Sequence, residues 1–141
     1  MEERPIEEQL VHQEIIDLLK KSIYNYPNAS RPTLMTFVNH PLKNKAVRDN
    51  EGSEYYPDIV IINTQTNKIV MIGEVETISS LNESEIGHWQ TFTKLSPVFY
   101  LFYPKGQYSR MSELCKKVPL TGFFEYEKIN SQYTVARRWP C

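Results

Sequence analysis

Little in this chain is in excess, and what is scarce already narrows its class. No apolar run approaches the roughly 20 residues that a membrane-crossing helix needs, so a membrane protein is not expected. The 2 cysteines, Cys115 and Cys141, lack metal-type spacing, so zinc and a disulfide framework are not expected either. They read as a buried thiol and an incidental terminal one. The opening Met1-Glu2-Glu3-Arg4-Pro5 has neither the basic start nor the apolar stretch of a secretion signal, and the expected compartment is the cytoplasm. No repeat, low-complexity tract or linker divides the 141 residues, which suffice for one domain (1–141) around one core.

Charge is also unremarkable in total. A net charge of −1 neither invites nor forbids nucleic acid, because binding depends on local potential. The candidate basic patches are Lys43, Lys45 and Arg48, then Lys105, Arg110, Lys116 and Lys117, then Arg137 and Arg138. Each taken alone reads first as a solvated face.

What is there is a clear alternation of helical and extended patterning. Ile6, Leu10, Val11, Ile15, Leu18, Leu19 and Ile23 recur at steps near 3.6, which predicts an amphipathic helix over 6–23 with Pro5 at its start. Residues 34–38 read as a first strand, and the polar stretch 39–54 as a long loop. Residues 55–62 and 68–76 flank a polar turn at 63–67 and predict a hairpin. A helix follows over 82–95, with Ile86, Trp89, Phe92 and Leu95 on one side. The wholly apolar run 98–102 marks a strand covered on both faces. A helix over 107–117 and strands over 120–126 and 132–135 complete an α/β chain, a central mixed sheet flanked by helices.

Two of these strands carry acid where a core would exclude it. Tyr56-Pro57-Asp58 opens the run Ile59-Val60-Ile61-Ile62, and Gly73-Glu74-Val75-Glu76-Thr77 closes the next strand. Alternation puts Glu74 and Glu76 on one face. A turn near Gln65 pairs residue 58 with about 72 or 73, which brings Asp58 beside Glu74 and draws all three acids to one end of the hairpin. Carboxylates that close repel one another, so one must protonate unless a cation neutralises them. Mg2+ and Mn2+ prefer such oxygen ligands. The plainer reading is that Asp58 ends a strand and the glutamates sit on a solvated edge.

Pro57-Asp58 and Glu74-Val75-Glu76, in this order of elements, resemble the PD-(D/E)xK nuclease superfamily, the restriction-endonuclease-like fold, whose core runs αβββαβ. The resemblance covers about residues 6–102, leaving a C-terminal helix and hairpin as an addition. It implies Asp58, Glu74 and the backbone carbonyl of Val75 as metal ligands for Mg2+ (or Mn2+). Where the superfamily usually has lysine, this chain has Glu76, which the resemblance casts as a general base or extra ligand. It also implies a glutamine on the following helix, which Gln90 matches, with Lys94 one turn on as a substitute lysine and His88 as a lesser candidate. A glutamate on the first helix points to Glu14 as a further ligand, with Glu7 the alternative. His12 and His40 show no ligand spacing and read as structural or surface residues.

The expected function is therefore metal-dependent hydrolysis of phosphodiester bonds, with DNA as the partner and a homodimer if both strands of a duplex are cut. The alternative is a catalytically inactive member of the same fold that binds nucleic acid or protein. In that case the C-terminal aromatics Phe123, Phe124, Tyr126, Tyr133 and Trp139 would be the surface of interest. Hydrolysis of sugars by a carboxylate pair fits poorly, since the hairpin places the acids side by side rather than across an aromatic cleft.

Overall fold

The structure, a computed structural model, describes residues 4–138, so Trp139 and Cys141 lie outside it. Helix α1 (Ile6–Lys21) begins after Pro5, with Glu7 and Glu8 in its first turn and Lys20 and Lys21 in its last, each sign at the helix end whose dipole it complements. Strand β1 (Leu34–Val38) follows. The stretch expected to be one long loop contains a small antiparallel ribbon, β2 (Val47–Arg48) with β3 (Glu54–Tyr55). Asp49 makes this turn possible: its Oδ1 accepts the backbone N–H groups of Glu51 and Ser53, both at 2.9 Å.

The hairpin forms as expected from β4 (Ile59–Asn63) and β5 (Lys68–Val75). A 3₁₀ turn at Glu83–Glu85 leads into α2 (Ile86–Leu95), with Asn82 Oδ1 accepting from Ser84 N at the entry. Then come β6 (Phe99–Pro104), α3 (Tyr108–Leu114), β7 (Gly122–Ile129) and β8 (Gln132–Arg137). The large sheet has the order β1-β4-β5-β6-β7-β8. Its β5–β6 and β6–β7 pairs are parallel, and the remaining pairs are antiparallel. Parallel neighbours need a crossover, which α2 and α3 supply. This is an α/β protein with three helices and a curled six-stranded mixed sheet. No helix among the described residues is long and apolar enough to cross a membrane.

The two-residue period of the strands divides their side chains between two cores. Ile59, Ile61, Met71, Val75 and Phe102 pack with Ile15, Ile16 and Leu19 of α1. Val60, Ile62, Ile72, Leu101 and Tyr103 pack with Trp89 and Phe92 of α2 and Met111 and Leu114 of α3. The run 98–102 is apolar throughout because β6 is covered on both faces, as its sequence implies.

One expectation is corrected. The buried stripe of α1 is His12, Ile15, Ile16 and Leu19, whereas Ile6, Leu10 and Ile23 are 75%, 60% and 45% exposed. Only the central turns of the helix cover the sheet, so apolar residues at its ends have nothing to pack on. Cys115 is buried, as expected.

Candidate metal centre

Register brings the first residues of the centre together. Ile59 pairs with Val38 on one side and with Gly73 on the other. Asp58, one residue earlier, therefore stands between Asn39 and Glu74. Its backbone O accepts from Asn39 N at 3.1 Å, and its N–H donates to Glu74 Oε2 at 3.0 Å. The expected neighbourhood of Asp58 and Glu74 is thus present. An irregularity between Ile61 and Ile62 shifts the ladder and sets the pairing seen.

Asp58 is 6% exposed and its carboxylate is fully engaged. Val75 N donates to Oδ2 at 2.8 Å. His12 Nε2 lies 3.1 Å from Oδ2, and His40 Nε2 lies 3.2 Å from Oδ1. The two imidazoles meet edge to face, their centroids 4.6 Å apart at 86°. His12 comes from the buried stripe of α1, and His40 from the loop two residues past β1. Asn39 shapes that loop: its Nδ2 donates to the carbonyls of Pro57 (2.6 Å) and Lys45 (2.9 Å). Its Oδ1 accepts from the N–H groups of Asn44 (2.7 Å) and Lys45 (2.8 Å). Among the described residues, His12, His40 and Asp58 form the one group whose donor atoms all lie within 4.8 Å of one another.

The acids titrate in opposite directions. Burial alone would raise Asp58, but the hydrogen bonds from His12 and His40 outweigh it and hold the carboxyl far below its usual range. Glu74 is pushed well up by burial and then by the charge of Asp58. Burial also pushes Glu76 well up, with the charges of Glu85 and Asp58 adding to it and Arg4 opposing.

The charges of Asp58 and Glu76 both act on Glu74, and that of Asp58 acts on Glu76, as expected of acids drawn to one end of the hairpin, but Glu76 also has a cationic partner of its own. Glu76 is 2% exposed and turned toward Arg4, whose Nη2 lies 3.6 Å from Oε1. Ser80 Oγ donates to the same oxygen at 3.3 Å, while Oε2 is buried with no partner. The carbonyl of Val75, an expected ligand, accepts from Arg4 Nη2 at 3.4 Å. Glu14 is exposed on α1, and its charge acts on Tyr133 of β8; Glu7 is exposed as well.

The helix candidates lie elsewhere. Gln90 is exposed and donates to the carbonyl of Lys117 at 3.4 Å, and Lys94 is exposed at the end of α2. Neither belongs to the group around Asp58, because Trp89 and Phe92 take the sheet-facing side of α2 and turn these two residues outward. His88 sits 3.7 Å from Glu85, half-exposed.

His12 and His40, expected to be structural or surface residues, are the immediate neighbours of Asp58. One signal for His12 was available: it falls at the 3.6 spacing of Ile15, Ile16 and Leu19, so a polar ring enters the packed face and requires a partner. For His40 the signal is the β1–β4 register, which no residue pattern declares.

A cleft of about 1270 Å³ opens beside this group, between α1, the loop after β1 and the turn leading to α2. His12, His40, Arg4 and Glu85 line it together with Ser79, Ser80 and Ser84, and Asp58 lies behind the imidazoles. Most of the candidate basic residues are already paired with acids: Lys105 with Glu127 (2.7 Å), Lys116 with Glu113 (3.1 Å), Lys117 with Glu83 and Arg138 with Glu125 (3.9 Å). Arg48 pairs with Glu54, Lys43 and Lys45 lie over the Tyr56 and Phe37 rings, and Arg137 lies over Tyr100 and Phe124.

No family model, no curated protein and no solved structure matches this chain.

Proposed function

We propose that this chain is a metal-dependent hydrolase of phosphodiester bonds, built on the restriction-endonuclease-like plan. The observation that carries the reading is Asp58 itself: an ionised carboxylate at a strand end, beside Glu74 and next to a wide polar cleft. The order α1-β1-β4-β5-α2-β6, with β5 and β6 parallel, supports the plan, since it follows the αβββαβ core of the resemblance. DNA is the substrate of choice on that resemblance, with Mg2+ or Mn2+ as the ion.

Asp58 and Glu74 would hold the ion. Their fit rests on the repulsion that drives Glu74 upward, which a cation relieves. Two imidazoles at Asp58 suit Mn2+ better than Mg2+, because Mg2+ favours oxygen ligands. What a divalent ion supplies when bound is charge against the phosphoryl oxygens and acidity to the attacking water. Arg4 lines the cleft and, pinned by Glu76, presents the positive charge that a motif lysine supplies elsewhere in the superfamily. Ser79, Ser80 and Ser84 offer hydroxyl donors to phosphate oxygens along the same wall.

A second reading, a non-catalytic binding module of the same fold, is favoured by the outward placement of Gln90 and Lys94 and by the ion pairs that occupy the basic residues. Supercoiled plasmid and single-stranded oligonucleotides, each incubated with Mg2+ or Mn2+, separate the two. Cleavage that falls by about 100-fold or more in Asp58→Asn and Glu74→Gln supports the hydrolase. Retardation on a gel with every strand intact supports the module.

A further inference from the structure

The geometry points to a three-ligand site for a first-row transition ion at His12 Nε2, His40 Nε2 and Asp58. The inference deepens the proposed function, on which it rests only in sharing Asp58. It narrows the cofactor to an ion that takes imidazole, from Mn2+ to Zn2+, and sets Mg2+ aside. It also draws its ligands from α1 and the loop after β1, not from the acids of β5.

Three observations carry it. The first is spacing. Each imidazole Nε2 lies 3.1 or 3.2 Å from a different oxygen of one carboxylate, and all the donor atoms fall within 4.8 Å. Ligands about 2.0–2.1 Å from a tetrahedral ion stand roughly 3.3 Å apart, which both histidine–carboxylate distances already match. With an ion present, each ring carries its proton on Nδ1 and leaves Nε2 free to ligate.

The second is rigidity. His12 is fixed by the helix and 4% exposed, the His40 loop by the four hydrogen bonds of Asn39, and Asp58 by the Val75 N–H at 2.8 Å. Such outer contacts orient ligands and hold their affinity for an ion.

The third is access. His12 and His40 both line the cleft, so an ion held by them would be reached from it, as in sites that act on a substrate. The two rings stand edge to face rather than stacked on each other, and each Nε2 meets the carboxylate.

The test is titration of the full chain with Zn2+ and, separately, Mg2+ by calorimetry, in wild type and in His40→Ala. His40 is 42% exposed, so its removal disturbs packing little. The expected result is one Zn2+ per chain in wild type, with affinity lower by about 100-fold or more in His40→Ala. Equal Zn2+ affinity in the two proteins, or none in wild type, overturns the site. If His40→Ala fails to fold, paramagnetic broadening in the wild type decides. Sub-stoichiometric Mn2+ should broaden the ring signals of His12 and His40 and spare His88, and uniform or absent broadening overturns the site. Failure of the hydrolase reading is distinguishable: Zn2+ bound through His40 by a protein that leaves DNA intact keeps this site and removes that function. Cleavage in Mg2+ by wild type and His40→Ala alike, with no Zn2+ bound by either, does the reverse.

Discussion

The Nη2 of Arg4 lies 3.6 Å from Oε1 of Glu76, and the same guanidinium hydrogen-bonds Thr77 Oγ1 at 3.1 Å. This contact joins the segment before α1 to the end of β5 and turns Glu76 toward the cleft wall. Removing one partner of a buried pair costs more than the pair contributes, because the other charge is left without compensation. Arg4→Ala should destabilise the fold by about 1–3 kcal/mol in wild type and by clearly less in a Glu76→Gln background. Urea unfolding of the four proteins of that cycle measures the coupling. Equal effects in both backgrounds would show that the pair is incidental.

Glu76 also sets a pH dependence. The folded chain holds the Glu76 proton more tightly than the unfolded chain does, because burial and the charges of Glu85 and Asp58 raise it. Stability attached to that proton is complete below the ordinary carboxylate value and is lost as pH rises toward the elevated one. Glu76→Gln removes its share of the slope, while Glu74, raised likewise, keeps its own. With chelator present, the variant should match wild type near about pH 4 and exceed it by about 1–3 kcal/mol near about pH 8. Thermal or urea unfolding at the two pH values is sufficient to check this, and a variant less stable at the higher pH would contradict it.

Asp58 runs the other way. Its carboxylate is favoured in the folded state, so its contribution is present above the usual carboxylate range and fades as acid protonates it. Asp58→Ala leaves His12 Nε2 and Val75 N–H without their acceptor in a buried place. A loss of about 3–5 kcal/mol is expected near neutral pH, read from denaturant midpoints in metal-free buffer.

Asn39 acts on His40 without touching an ion. Asn39→Asp replaces its two donated bonds, to Pro57 O and Lys45 O, with repulsion between oxygens. The variant should lose about 1–3 kcal/mol per orphaned group and weaken Zn2+ binding by about 10–100-fold. Zn2+ affinity unchanged in a folded Asn39→Asp protein would mean that the loop is held by other means.

Gln90 and Lys94 serve as the contrast. Both are exposed on α2, away from Asp58. Gln90→Ala and Lys94→Ala should change stability by less than about 0.5 kcal/mol and leave ion binding and any cleavage as in wild type. A loss of cleavage in either would place the working site on a different face of α2.

Periodicity alone determined the helices, the strands of the large sheet and the two-sided burial of β6, because burial leaves a repeat of 3.6 or 2 that any local window displays, whereas the two-residue strands β2 and β3 are too short to show one. It also put Asp58 beside Glu74, since a hairpin with a short turn has few possible registers. What it could not declare was which strand flanks β4 on its other edge. The β1–β4 pairing alone carries His40 to Asp58, and only docking of the central turns of α1 carries His12 there. Both are contacts between segments far apart in the chain, chosen by how whole elements bury their faces. Glu76 shows the same limit: its place on β5 was legible, but its partner Arg4 arrives from the other end of the fold.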